Sequence, residues 1–135
     1  MKVVADSHSI YWYLAKPELL SGPALAALGE AEDTDGVVVS AWTIPELWMS
    51  ATRKRGDRSV PRSSYELVRA TLVDPTTTLT VEPFGAAMWP HFEATSLVLP
   101  DPFDSAIVAT ARALRLPLIT RDTAVTGARV VEVIW

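Results

Sequence analysis

Val37-Val38-Val39-Ser40 is a β-branched run, apolar at three successive positions and too short for a helix, and comparable short runs recur along the chain between stretches of helical spacing. Val3-Val4-Ala5, Leu79-Thr80-Val81, Leu116 to Thr120 and Val130 to Ile134 read as the other strands. A run that does not alternate apolar with polar must be covered on both faces, which is the condition of a buried parallel strand. Between the runs, an apolar segment through Tyr11, Trp12 and Leu14 is closed by Pro17. Leu19, Leu20, Ala24, Leu25 and Leu28 then recur at helical spacing, with Gly29 as the expected stop. Thr43 opens a helix running to about Arg55, with Gly56 and Asp57 as its end, and Tyr65, Val68 and Leu72 carry another, ended by Asp74-Pro75. Phe84 to Phe92 and Pro102 to Leu114 are the remaining helical stretches. The order is strand, helices, strand, helices, strand, helices, strand, strand. It predicts one α/β domain over residues 1–135, a mostly parallel central sheet with helices on both faces.

Composition narrows the chemistry. The chain has no cysteine and two histidines, His8 and His91, so thiolate catalysis, disulfides and Cys-ligated zinc are excluded, and a bound metal must be held by oxygen. Asp6 arrives before any apolar run long enough for a signal peptide, and no stretch approaches the roughly eighteen apolar residues of a membrane span. A cytoplasmic protein is expected, with no membrane partner. The net charge of −4 opposes binding to phosphate. Against it, Arg53, Lys54, Arg55, Arg58 and Arg62 gather five cations within ten residues, readable as a grip on RNA or as a solvated helix end.

The positions of a few carboxylates carry the functional signal. Asp6 ends the first strand, and Asp122 lies just past the Leu116–Thr120 strand. Glu46 and Asp104 each fall in the first turn of a helix. In an open parallel sheet, ligands bind outside the carboxyl ends of the strands, where the next helices begin. Four acids from distant parts of the chain can therefore meet at one edge. Like charges that close raise one another's pKa unless a cation neutralises them, and a hard divalent ion, Mg²⁺ or Mn²⁺, suits all-oxygen ligands. Such a site fits hydrolysis of a phosphodiester.

Each acid also has a structural reading. Thr43-x-x-Glu46 fits a capping box, and Asp101-Pro102 fits an N-cap followed by proline at the first helical position. That reading gives Asp101 a capping role with little part in chemistry. Asp104 instead heads an apolar stripe through Ile107, Val108 and Ala111. His8 is close to Asp6 in sequence, and a non-catalytic role is expected for it. The five tryptophans, 12, 42, 48, 89 and 135, read as core or interface aromatics.

Val-Val-Ala-Asp-Ser-His at the start, Glu46 after the Val-Val-Val-Ser strand, Asp-Pro-Phe-Asp-Ser-Ala-Ile-Val-Ala-Thr-Ala at 101–111 and Leu-Ile-Thr-Arg-Asp at 118–122 together resemble the four landmarks of PIN domains. The Asp-Pro-Phe-Asp element and the Ile-Trp ending look most like the branch found among VapC-type toxins. The resemblance implies a Mg²⁺-dependent endoribonuclease with Asp6, Glu46, Asp104 and Asp122 as catalytic and metal-site acids, and Thr120 or Ser7 as a minor polar member. It also implies a homodimer restrained by a cognate antitoxin whose tail occupies the active-site groove. The chain departs from that branch at Leu99-Pro100 and Ser105, where His-Arg and Arg often stand. Two other readings are a catalytically silent module that keeps the fold to bind a partner, and a phosphoacceptor receiver domain. The receiver reading would want paired acids after the first strand, where Asp6 stands alone.

Overall fold

A computed structural model describes residues 1–53 and 60–135. Five strands, β1 (Val3–Ala5), β2 (Val37–Ser40), β3 (Leu79–Glu82), β4 (Leu118–Ile119) and β5 (Val133–Ile134), form one sheet in the order β3-β2-β1-β4-β5. Every pairing is parallel, with Val4 opposite Val38 on one side and Leu118 on the other. Among the described residues, seven α-helices accompany the strands: α1 (Ser7–Ala15), α2 (Gly22–Asp33), α3 (Thr43–Thr52), α4 (Arg62–Val73), α5 (Trp89–Ser96), α6 (Pro102–Leu114) and α7 (Thr123–Ala128). No helix among them is long and apolar enough to cross a membrane.

The two-residue period of the strands divides the interior into two cores. Val3, Ala5, Val37 and Val39 face one side, where Ile10, Leu28, Leu47, Val68 and Leu72 of α1 to α4 cover them. Val4, Val38 and Leu118 face the other, against Ile107, Val108 and Ala111 of α6 and Val125 of α7. Each fully buried Val, Leu or Ile contributes roughly 1.5–3 kcal/mol, so both faces of the sheet must be covered for the strands to hold. The small residues Ala106, Ala109 and Thr110 are wholly buried and let α6 lie close to the sheet.

Several local expectations are corrected. Gly29 does not stop α2. Ser21 caps that helix by accepting the Ala24 N–H at 3.2 Å, and its buried stripe continues through Ala31. The chain turns instead at Gly36, whose φ is 96° and where a Cβ would stand 2.7 Å from the Thr78 carbonyl oxygen. Leu19 belongs to a short 3₁₀ turn, and the stretch after Phe84 becomes a 3₁₀ turn at Ala86–Met88 followed by α5, with Pro90 tolerated in its first turn. β4 and β5 are two residues each, shorter than their apolar runs. Of the basic cluster, Lys54, Arg55 and Arg58 lie outside the described residues, as do Gly56 and Asp57.

Candidate metal centre

The strand order reverses between β1 and β4, which opens a crevice beyond their carboxyl ends, and helix N-termini gather around it. Asp6 follows β1 and caps α1, accepting the Ser9 N–H at 2.8 Å. Asp122 follows β4 and caps α7, accepting the Val125 N–H at 3.0 Å. Asp101 caps α6, accepting the Phe103 N–H at 2.8 Å and the Asp104 N–H at 3.4 Å. Asp104 is in the first turn of α6 and Glu46 in the first turn of α3. The orphan N–H groups and positive dipole ends of these helices make their N-termini favourable places for carboxylates.

The capping box expected at Thr43 does not form. Trp42, already helical at φ −73° and ψ −15°, occupies the cap position without a side-chain bond, and Thr43 is drawn into the helix. Its hydroxyl is buried with no hydrogen-bond partner. Glu46 therefore has no capping duty and faces the cleft.

The cleft encloses about 470 Å³ and is lined by Asp6, Glu46, Asp101, Asp104 and Asp122, together with His8, Trp12, Met49, Ser50, Phe103, Arg121 and Thr123. All four acids singled out from the sequence thus meet. Glu46 and Asp104 form the tight part with Asp101: each of these three offers a carboxylate oxygen within 4.8 Å of the others. Among the described residues, Asp6 and Asp122 line the same cleft outside that triad. Sequence reasoning assigned Asp101 a cap and did not place it among the four metal-site acids. Asp-Pro at a helix start announces the cap, and nothing in it announces that the same carboxyl lies beside two others.

Crowding shows in the proton affinities. Burial pushes the Glu46 carboxyl up from 4.5 to about 7, and the charges of Asp101, Asp6 and Asp122 add to the rise, while the adjacent Ser7 hydroxyl partly offsets it. Burial likewise pushes Asp104 up from 3.8 to about 7, followed by repulsion from Asp101, Asp122, Glu46 and Asp6. The Ser7 hydroxyl is buried and makes no hydrogen bond of good geometry. Five carboxylates with Arg121 as the full cation among the lining residues leave a surplus of negative charge. An all-oxygen donor set with that surplus fits a hard divalent cation.

The minor polar candidates have structural work. Thr120 is buried and its hydroxyl oxygen accepts the Asp122 N–H at 3.0 Å, which fixes the start of α7. Ser105 donates to the carbonyls of Leu99 at 3.3 Å and Asp101 at 3.1 Å, so the position where the related branch carries Arg here secures the entry to α6. Arg53 follows α3, and Arg62 lies 4.4 Å over the Trp48 ring with Glu66 at 3.8 Å.

The PIN domain family profile matches residues 3–129. Ribonuclease VapC22 of Mycobacterium tuberculosis is 32% identical over 125 residues, covering 89% of this chain and 86% of that protein. Among solved structures, VapBC2 from Rickettsia felis, bound to a DNA fragment from its promoter, superposes with a TM-score of 0.70 at 12% identity, covering 98% of this chain and 97% of that one. VapBC-5 of Mycobacterium tuberculosis, a member of the VapBC family of toxin–antitoxin systems, gives a TM-score of 0.63 at 19% identity, with 98% and 97% covered. At those identities the structures speak for the fold. The profile spans nearly the whole sequence, and this chain belongs to the PIN domain family.

Proposed function

We propose that the chain is a divalent-cation-dependent endoribonuclease, the toxin of a type II toxin–antitoxin pair. The observation that carries this reading is the triad of Glu46, Asp101 and Asp104 in a cleft also lined by Asp6 and Asp122. The ribonuclease name of the 32% identical relative and the toxin–antitoxin complexes among the structural neighbours support it.

Glu46, Asp104, Asp6 and Asp122 are the catalytic and metal-site acids of this proposal, and Asp101 joins them. When bound, Mg²⁺ or Mn²⁺ supplies charge stabilisation for the phosphate and activation of a water. The chain holds the donors in place. Asp6, Asp101 and Asp122 are each tied by one oxygen to a backbone N–H, so their carboxyls are fixed before a ligand arrives. Burial favours the protonated forms of Glu46 and Asp104, and a cation held by their carboxylates would displace those protons to solvent. His8 lines the cleft, and no proton transfer is assigned to it.

The same surplus of charge defines the restraint. An arginine or lysine on the tail of a cognate antitoxin would pair with these carboxylates in place of the metal. The working form in this proposal is a cytoplasmic homodimer. The test is incubation of the purified chain with RNA: cleavage in Mg²⁺, arrest by EDTA and recovery on excess Mg²⁺ are expected. An RNA left intact over a range of sequences, with Mg²⁺ and with Mn²⁺, overturns the nuclease reading.

A further inference from the structure

A cleft with five carboxylates must still attract a polyanion. A cation at the triad answers only the phosphate being cleaved, and the flanking phosphates of a strand would lie against acidic walls. We propose that Arg121 is the positioning residue for a neighbouring backbone phosphate of the RNA, a role that rests on the nuclease reading above.

Arg121 lines the cleft and is exposed. Despite the acids around it, it forms no ion pair with any described residue. Its guanidinium carbon lies 4.8 Å from the ring centroid of Trp12. The adjacent Asp122 uses one carboxylate oxygen to accept the Val125 N–H and cap α7. Trp12 is a fixed platform, only 8% exposed, with Trp135 at 6.0 Å and His8 at 5.6 Å between ring centroids.

This arrangement leaves the donors free. A guanidinium resting on a ring uses its face, while its N–H groups lie in its own plane and can fork around two phosphate oxygens. The stack also lowers the entropy cost of holding a long side chain at the rim. A lysine has neither the planar face nor the fork, so the charge alone does not reproduce the site. The basic residues already engaged elsewhere contrast with it: Arg62 pairs with Glu66 and Trp48, and Arg112 donates to the Val130 carbonyl at 3.2 Å.

The experiment compares wild type, Arg121→Ala and Arg121→Lys on a mixed-sequence fluorogenic RNA in Mg²⁺ across a salt series, with melting temperatures as a control for folding. Arg121→Ala is expected to raise KM by roughly tenfold with kcat within about twofold, and to flatten the salt dependence of kcat/KM by about one phosphate contact. Arg121→Lys is expected to restore the salt slope while recovering only part of KM. An alanine variant with wild-type KM and salt slope overturns the proposal, as does one that loses kcat at unchanged KM. If wild type does not cleave, the nuclease reading fails by itself, and anisotropy of the same RNA in Mg²⁺ still decides Arg121. Weaker binding by the alanine variant upholds the phosphate contact, and equal binding overturns it.

Discussion

Asp101, the N-cap of α6, and Asp104, in its first turn, meet different demands. Asp101 satisfies two backbone N–H groups and also lies within the triad. Asp104 makes no such bond, and its proton affinity records what that neighbourhood costs. Asp101→Ala is expected to lose roughly 0.5–2 kcal/mol of stability through the missing cap. It should also weaken divalent binding about tenfold, the size of effect seen for residues that support a metal site. Asp104→Asn keeps the side-chain shape and removes a disfavoured charge, so its melting temperature in EDTA at pH 8 should hold or rise. Its cleavage of RNA in Mg²⁺ should fall by orders of magnitude. An active Asp104→Asn beside a stable, inactive Asp101→Ala would reverse these roles.

Among the elements, two glycines separate what sequence spacing conveys from what packing decides. Gly29 is inside α2, where an added Cβ would meet nothing within 4 Å, so Gly29→Ala is expected to stabilise by up to about 1 kcal/mol. Gly36 combines φ 96° with a carbonyl oxygen 2.7 Å from its Cβ position, and Gly36→Ala should cost roughly 1–3 kcal/mol. Denaturant midpoints of the two variants should move in opposite directions, and a shift in the same direction contradicts the assigned turn. The strands and α6 were legible in the sequence because β-branched runs and an Asp-Pro start leave few alternatives. α7 was not, since Thr123–Ala128 is only six residues with two Thr, a Val and a Gly among them, and its helix depends on the Asp122 cap and on burial of Val125. The convergence of Asp6, Glu46, Asp104 and Asp122 was readable from strand ends and helix starts. The proximity of Asp101 and the placement of Arg121 on Trp12 were not, because both depend on side-chain directions that spacing does not encode.

For the whole molecule, the acidic cleft links folding to pH. Glu46 and Asp104 bind protons more tightly in the folded chain than in the unfolded one, so their contribution is fully present below their ordinary values of 4.5 and 3.8. It is lost as pH rises through about 7. Discounted for partial exposure, the loss between pH 5 and pH 8 is roughly 2–3 kcal/mol. Thermal melting in EDTA should therefore show stability falling over that interval, with the fall much reduced in a Glu46→Gln, Asp104→Asn double variant. A divalent cation should recover the loss in wild type, since it binds the ionised form. Equal pH slopes for wild type and the double variant would detach the pH effect from this cleft.

Anomalous diffraction from crystals grown with Mn²⁺ puts the metal centre itself to the test, because it locates the cation without reference to activity. A peak is expected among the carboxylates of Glu46, Asp101 and Asp104, within reach of Asp6 or Asp122, and it should vanish in Asp104→Asn crystals grown the same way. A cleft without manganese, or an ion held at another part of the surface, would contradict a divalent centre at these acids.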